Sequence, residues 1–294
     1  MPTERFSISL PDGRVLDVRV SGPEDGVPLL AHHGTPSSGM PYRPFVESAA
    51  ARGLRMVTYT RPGYGGSTRH EGRSVADCAA DAAKVIDHLG VDRFYTTGQS
   101  GGGPHALACA ALLPDRVIAC ASTAGVGPYG ADGLDFLFGM AQENVDEFGA
   151  ALEGPDALEA FLEKVVPGLQ SATPAGIIAE LGGLVSEVDA AALTGEFAEH
   201  VVEMFHEAME PGIWGWFDDD VAFTRPWGFD LGAIRVPVAI WQGVQDNMVP
   251  AAHGEWLGAH VAGARANIRP DHGHLSLTIA NVDEILDDLM AVGG

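Results

Sequence analysis

The sequence predicts an α/β protein with a mostly parallel central sheet covered by helices on both faces. Short apolar strand patterns alternate with helical patterns at both ends of the chain, and parallel strands need such crossover connections. Residues 74–89 form an amphipathic helical pattern with Ser74 at its start. A strand pattern at 93–97 runs directly into a glycine-rich turn, and an alanine-rich helical pattern follows at 105–113.

The remaining elements continue this alternation, with one interruption. Between about residues 125 and 231, Ala, Leu, Glu and Phe recur at helical spacing, broken by Gly/Pro pairs, so this segment reads as helices inserted into the sheet domain. Strands are predicted at 5–10, 14–20, 27–31, 54–60, 117–122, 236–242 and 266–269, and the last two helices at 251–260 and 282–290.

Composition excludes several classes of function. The chain has 294 residues, 46% of them hydrophobic, with no apolar run long enough to span a bilayer. A net charge of −23 and the lack of a basic patch make nucleic acid an unsuitable partner. The amino terminus has no secretory pattern, and the three cysteines fit buried free thiols in a reducing compartment. We therefore expect a cytoplasmic protein, with no membrane partner and an oligomeric state that the sequence does not fix.

Gly98-Gln99-Ser100-Gly101-Gly102 lies where the predicted strand meets the helix. A serine at the tip of so sharp a turn needs small neighbours two residues away on either side, and Gly98 and Gly102 meet that need. A glycine turn that merely packs a helix against the sheet is the alternative. Strand, G-x-S-x-G and helix in this order predict that Ser100 is a nucleophile.

Two loops near the carboxyl end offer partners for this serine. The loop after strand 236–242 contains a single carboxylate, Asp246, and no carboxylate occurs in 121–131. One helix and one strand later, His272 and His274 flank Gly273, which would let the loop turn the second imidazole towards Ser100. An H-x-H pair can bind metal, but two ligands alone are weak evidence, so we predict no metal and no cofactor. Asp246 and His274 are the predicted acid and base, with His272 as the alternative base.

Acyl transfer also needs donors for a developing oxyanion. The N–H of Gly101 directly follows the nucleophile and lies at the positive end of the next helix. The loop His33-Gly34-Thr35-Pro36 follows the third strand, and the N–H of Thr35 is the second candidate. His32 and His33 are expected to support this loop structurally, and 61–67 to shape a turn beside it.

Five segments in this order resemble the α/β-hydrolase superfamily, in its serine-nucleophile branch: HHGTP, RPGYGGS, GQSGGG, GVQDNMVP and DHGHLSL. The resemblance covers about residues 5–125 and 232–294. It implies an eight-stranded sheet with one antiparallel strand at the start, the order serine, acid, histidine along the chain, and a helical lid. The implied domains are a core of residues 1–125 and 232–294 and a lid of residues 126–231. Serine at position 100 argues against haloalkane dehalogenases and soluble epoxide hydrolases, which use a carboxylate.

The predicted function is hydrolysis of a small or medium hydrophobic ester or lactone through an acyl-enzyme, with activity falling below about pH 6 to 7 as the imidazole is protonated. Aminopeptidases of the proline-iminopeptidase type are an alternative, although they usually have a glycine-richer oxyanion loop and GGSWG at the elbow. Carbon–carbon bond hydrolases and cofactor-free haloperoxidase-like enzymes would share the triad. A ligand receptor on a hydrolase scaffold is the non-enzyme alternative.

Large apolar residues of the insertion are candidates for the substrate pocket, although each could equally pack lid helices onto the core. The run Asp218-Asp219-Asp220 predicts a solvated loop. The pocket candidates are Trp214, Trp227, Phe136 and Met140.

Overall fold

The computed structural model describes residues 2–293, and within them eight strands form one sheet in the order β1-β2-β4-β3-β5-β6-β7-β8. β2 is antiparallel to both of its neighbours, and the pairings from β4 to β8 are parallel. The predicted α/β class is confirmed, including the single antiparallel strand near the start. The strands are β1 Thr3–Ser9, β2 Val15–Ser21, β3 Val27–His32, β4 Leu54–Tyr59, β5 Phe94–Gln99, β6 Val117–Thr123, β7 Val238–Gly243 and β8 Arg265–Arg269.

Helices cover both faces of this sheet. Successive strand residues point to opposite faces, so Leu29 and Leu30 of β3 belong to two different apolar clusters. Both side chains are fully buried, as expected for a parallel sheet covered on both sides. The helices are α1 Arg43–Ala51, α2 Asp77–His88, α3 Gly102–Leu112, α4 Gln142–Glu153, α5 Pro155–Ser171, α6 Ile177–Leu181, α7 Glu187–Ala192, α8 Gly195–Ala208, α9 Trp214–Phe223, α10 Ala251–His260 and α11 His274–Gly293.

The six helices α4–α9 lie between β6 and β7, in the range where the sequence predicts an inserted lid. Helices α5, α6, α8 and α9 contribute to a second apolar cluster, which includes Leu158, Leu162 and Val201. Tyr64, from the loop after β4, belongs to the same cluster. The helices of this segment therefore pack around apolar side chains of their own. The role of the segment as a lid remains a prediction.

The carboxyl-terminal helix is longer than predicted. It begins at His274 and continues to Gly293, with non-helical backbone at Asn281, whereas the pattern indicates 282–290. At the start of this additional part, the His274 N–H donates to the carboxylate of Asp189 of α7, 85 residues earlier in the chain. Since that carboxylate is remote in sequence, the local pattern carries no signal for it. Helix α1 was likewise not predicted.

The prediction of a solvated loop at Asp218-Asp219-Asp220 is wrong. All three residues lie in α9, and their exposed fractions are 3%, 0% and 0%. Each carboxyl has a partner from a distant segment: Arg69 pairs with Asp218, Arg61 with Asp219, and Glu147 contacts Asp220. Buried charges require such pairing, and their partners are not visible in local sequence.

No helix within residues 2–293 is long and apolar enough to cross a membrane.

Candidate active site

Ser100 occupies the sharp turn between β5 and α3, with a φ of 55°. This left-handed conformation is costly for a serine, so the surrounding hydrogen bonds must hold it. The Ser100 N–H donates to the Thr123 carbonyl at the end of β6 (2.9 Å), and the Gly103 N–H donates to the Ser100 carbonyl (2.9 Å). The fold therefore maintains strained backbone at the predicted nucleophile.

Glycine is required on both sides of this serine. A Cβ on Gly98 would lie 2.0 Å from the carbonyl oxygen of Gly102, and a Cβ on Gly102 would lie 2.2 Å from that of His32. Both obstacles are backbone atoms, which cannot rotate away. The close approach of β3, β5 and α3 is the physical reason for the small residues in G-x-S-x-G.

Asp246 and His274 meet at the carboxyl ends of β7 and β8. The Nδ1 atom of His274 hydrogen-bonds to Oδ2 of Asp246 at 2.8 Å, and both side chains are almost completely buried. The N–H groups of Met248 and Val249 donate to Asp246 Oδ1, each at 2.8 Å. Gln242 donates to Asp246 Oδ2 (3.1 Å). The carboxylate is thus fixed from three directions and orients the imidazole.

The charge on Asp246 also changes the acidity of the imidazole. Burial acts to lower the pKa of His274, but the charge and hydrogen bond of Asp246 outweigh it, so the pKa is raised above its ordinary value of 6.5. His272, the alternative base, lies within 3.2 Å of Asn281 Nδ2. Of the two histidines, His274 is the one in contact with the carboxylate.

Ser100 and His274 line the same cavity, which has a volume of about 480 Å³. Within residues 2–293, the Ser100 hydroxyl and the His274 imidazole are not hydrogen-bonded to each other. Such contacts are often long in a free enzyme and shorten when substrate binds. The structure thus brings acid and histidine together and places the serine at the same cavity.

Thr35 and Gly101 lie side by side next to Ser100. A Cβ on Gly101 would lie 2.3 Å from Thr35 Oγ1, and a Cβ on Gly34 would lie 3.4 Å from the Ser100 Cβ. Within the described chain, neither the Thr35 N–H nor the Gly101 N–H donates to a protein acceptor. Both amides therefore retain a free hydrogen for a ligand oxygen, as the predicted oxyanion site requires.

A buried ionic network holds the loop of Thr35 from behind. Arg61 donates to the Gly34 carbonyl (2.8 Å), to Thr35 Oγ1 (2.8 Å) and to Asp219 Oδ2 (2.6 Å). Thr35 Oγ1 itself donates to Asp219 Oδ2 at 2.6 Å. Arg73 pairs with the other oxygen of Asp219 at 2.7 Å. The expectation that 61–67 only shapes a turn was wrong, because the Arg61 guanidinium joins the loop of Thr35 to α9.

The His33 imidazole completes the support of this loop, as expected. Its Nδ1 hydrogen-bonds to the Gly34 carbonyl (2.8 Å) and its Nε2 accepts from the Arg61 N–H (2.9 Å). Burial lowers the pKa of His33 well below its ordinary range, and Arg61 lowers it further, so the ring is neutral. A neutral ring with both nitrogens occupied has a structural role.

Asp189 of α7 holds the start of the helix that carries His274. Its Oδ2 accepts from the His274 N–H (2.8 Å), and its Oδ1 accepts from the N–H groups of Leu275 (2.9 Å) and Ser276 (2.8 Å). The side chain is fully buried. A carboxylate at a helix N-terminus accepts hydrogen bonds from the free N–H groups, and its negative charge is stabilised by the positive end of the helix dipole. Local sequence patterns carry no signal for this contact, because Asp189 lies in the insertion, far along the chain from its partners.

The four predicted pocket residues are packed away from the cavity. The guanidinium carbon of Arg69 lies 4.1 Å from the centre of the Trp214 ring. Trp227 stacks on Phe229. Phe136 and Met140 belong to the main apolar core. Hydrophobicity alone could not distinguish these positions from the cavity wall. That wall is formed by other apolar side chains, which include Phe148, Phe161, Val165, Leu169, Phe197, Met204, Phe205, Trp216 and Phe223.

Within 2–293, no three His, Cys, Asp or Glu side chains are grouped so that they could hold a metal ion. The three cysteines, Cys78, Cys109 and Cys120, are free and buried.

The chain belongs to the alpha/beta hydrolase fold family, whose model matches residues 27–278. It is 27% identical over 267 residues to an uncharacterized hydrolase, YcgS, of Bacillus subtilis, covering 90% of this chain and 89% of that protein. It is also 27% identical over 248 residues to a bifunctional esterase/perhydrolase of Acinetobacter calcoaceticus, covering 83% of each. An esterase structure from Thermogutta terrifontis superposes with a TM-score of 0.71 at 20% identity, covering 99% of this chain and all of that one (100%). The family match places the chain among the alpha/beta hydrolases, and the superposition agrees with that fold.

Proposed function

We propose that this hydrolase cleaves carboxylic esters or lactones through an acyl-enzyme on Ser100. The observation that carries the proposal is the 2.8 Å bond between His274 and Asp246 beside a cavity that also holds the strained Ser100. His274 takes the serine proton as the hydroxyl attacks the carbonyl, and returns it to the leaving alcohol. Water then attacks the acyl-enzyme by the same route, which releases the acid and restores the serine.

The free N–H groups of Thr35 and Gly101 would stabilise the negative charge of both tetrahedral intermediates. The apolar wall favours an ester whose acyl or alcohol part is hydrophobic. Labelling of Ser100 by a fluorophosphonate would distinguish an enzyme from a ligand receptor. Comparing p-nitrophenyl esters with proline anilides would distinguish an esterase from an aminopeptidase, and preferential cleavage of the anilides would overturn the ester assignment.

A second candidate is transfer of the same acyl group to hydrogen peroxide instead of water. The relative named esterase/perhydrolase favours it. Peroxide would attack the acyl-enzyme, forming a peracid and restoring the serine hydroxyl, so the same residues would serve both reactions. Peracid formation from an ester and added peroxide, absent in a Ser100→Ala variant, would support this activity.

Activity should fall on the acidic side as His274 becomes protonated, because an imidazolium cannot accept the serine proton. Since the pKa of His274 is raised, half-maximal kcat/KM is expected at a pH above 6.5. The negative charge of Asp189 contributes to that rise. In Asp189→Asn, the midpoint of the pH profile should therefore move to lower pH. Asp271→Asn, an exposed carboxylate three residues before His274, is the control and should leave the midpoint unchanged.

Gly101→Ala should disturb the oxyanion site selectively. The new Cβ would lie 2.3 Å from Thr35 Oγ1 and 3.0 Å from Phe223 Cζ, so the Thr35 loop would have to move. Loss of one oxyanion donor lowers kcat by roughly 10²- to 10³-fold in comparable enzymes, and we expect a similar loss here. Gly149→Ala is the matched control, because a Cβ there has no neighbour within 4 Å. An unchanged kcat in Gly101→Ala would contradict the assigned oxyanion site.

A further inference from the structure

Two buried carboxyl groups, Glu147 of α4 and Asp220 of α9, lie in the apolar wall of the cavity. Their exposed fractions are 9% and 0%. The neighbouring guanidiniums of Arg61 and Arg73 pair with Asp219 instead. Burying carboxyl groups without a cation is costly, so their presence in this wall requires an explanation.

The pKa values of both carboxyls are raised. Burial raises the pKa of Glu147 to about 7, with hydrogen bonds from Trp216 and Asp220 opposing that rise. Burial also raises the pKa of Asp220 well above its ordinary range, and the charge and hydrogen bond of Glu147 raise it further. Burial and the charge of Glu147 both favour the neutral form of Asp220. No N–H or O–H donor among the described residues reaches either oxygen of Asp220.

Trp216 fixes the orientation of Glu147. The indole N–H donates to Glu147 Oε1 at 2.8 Å, which leaves Oε2 as the oxygen that no protein N–H occupies within residues 2–293. Because Glu147 lines the cavity that also contains Ser100, this acceptor is available to a molecule bound there. A carboxylate acceptor in an apolar surrounding forms strong, charge-assisted hydrogen bonds.

We propose that Glu147, oriented by Trp216, is a specificity-determining acceptor that selects substrates carrying a hydrogen-bond donor, a hydroxyl or an amine, at a position remote from the scissile bond. The rest of such a substrate is apolar, in keeping with the cavity wall. This inference rests on the proposed ester hydrolysis for its kinetic test, but its binding test does not.

The kinetic test compares p-nitrophenyl esters of simple fatty acids with their ω-hydroxy and ω-amino analogues over a series of chain lengths. We expect kcat/KM for at least one donor-bearing ester to exceed that of the simple ester of equal length by roughly 10- to 100-fold. The hydroxy and amino series show which donor is preferred. Equal or faster hydrolysis of the simple ester at every length would overturn the proposal.

Glu147→Gln tests the residue itself with little change in shape. Its amide carbonyl must accept from Trp216, which places an NH₂ group where Oε2 stood and turns an acceptor into a donor. The preference for donor-bearing esters should disappear, while hydrolysis of simple esters persists. Glu143→Gln is the matched control: Glu143 lines the same cavity, but its carboxylate accepts from the Gly183 N–H, and the preference should remain.

Binding to the Ser100→Ala protein separates this inference from the proposed reaction, since binding needs no chemistry. Calorimetry would compare simple fatty amides with their ω-hydroxy and ω-amino analogues. Tighter binding of a donor-bearing amide, lost when Glu147→Gln is added, would support the subsite even if no ester were cleaved. Equal Kd values within each pair, or no measurable binding of any donor-bearing amide, would overturn it.

Discussion

Ser100→Ala is expected to lower kcat for ester hydrolysis by roughly four to six orders of magnitude, because no other group at this position can form the acyl-enzyme. The Cβ and the backbone position are retained, so the cavity and the Asp246–His274 pair should remain intact. The measurements are steady-state turnover of a p-nitrophenyl ester and labelling by a fluorophosphonate, which should mark the natural protein and leave the variant unmarked.

Ser37→Ala is the matched control for this loss. Ser37 also lines the cavity and is buried, but among residues 2–293 its hydroxyl donates only to the neighbouring Ser38 carbonyl, at 3.3 Å. Its removal should change kcat little. If Ser100→Ala keeps most of its turnover, the nucleophile is misassigned. If kcat falls as far in Ser37→Ala as in Ser100→Ala, the loss reflects a disturbed cavity and not the removal of the Ser100 hydroxyl.

Asp219→Asn is expected to lower the free energy of unfolding by about 3–5 kcal/mol, since it leaves buried charges without a partner. The carboxylate is fully buried and pairs with both Arg61 (2.6 Å) and Arg73 (2.7 Å). Burial acts to raise the pKa of Asp219, but the two guanidiniums outweigh it and hold the pKa well below its ordinary range. An asparagine keeps the shape and removes the charge. Equilibrium unfolding in urea would give the difference.

Asp287→Asn provides the comparison at the surface. Asp287 pairs with Arg52 at 2.6 Å, but 66% of its side chain is exposed. Exposed pairs are screened by water and salt, so this variant should unfold at nearly the same urea concentration as the natural protein. Equal destabilisation of the two variants, or none in Asp219→Asn, would show that the buried network does not carry the stability assigned to it.

The fold and the residues proposed for the chemistry could largely be anticipated from local sequence. Ser100, Asp246 and His274 each follow a recognisable strand, and the carboxyl ends of parallel strands meet at one edge of a sheet. The small residues at Gly98 and Gly102 could be predicted from the sharp turn at Ser100, because strand patterns and turns are visible in a few consecutive residues. The contact that excludes a side chain at Gly102 is nevertheless with His32 of β3, which only the fold brings close.

The cavity wall and the polar network behind the site could not be anticipated in this way. Trp214 and Phe136 are as apolar as Trp216 and Phe148, yet only the second pair reaches the cavity. Which side of a helix faces the cavity depends on how the inserted helices pack against the core, and composition does not determine that packing.

Sequence alone determined the order of the strands, the place of the helical insertion, the sharp turn at Ser100 and the three side chains proposed for the reaction. Only the tertiary structure decided that Asp189 holds the start of α11, that Asp219 is a buried counter-ion of two arginines, and that Glu147 lies in the cavity wall. The physical reason is the range of the interactions. Periodicity and turn geometry are local, whereas a buried charge is stable only beside partners that the fold brings from distant segments.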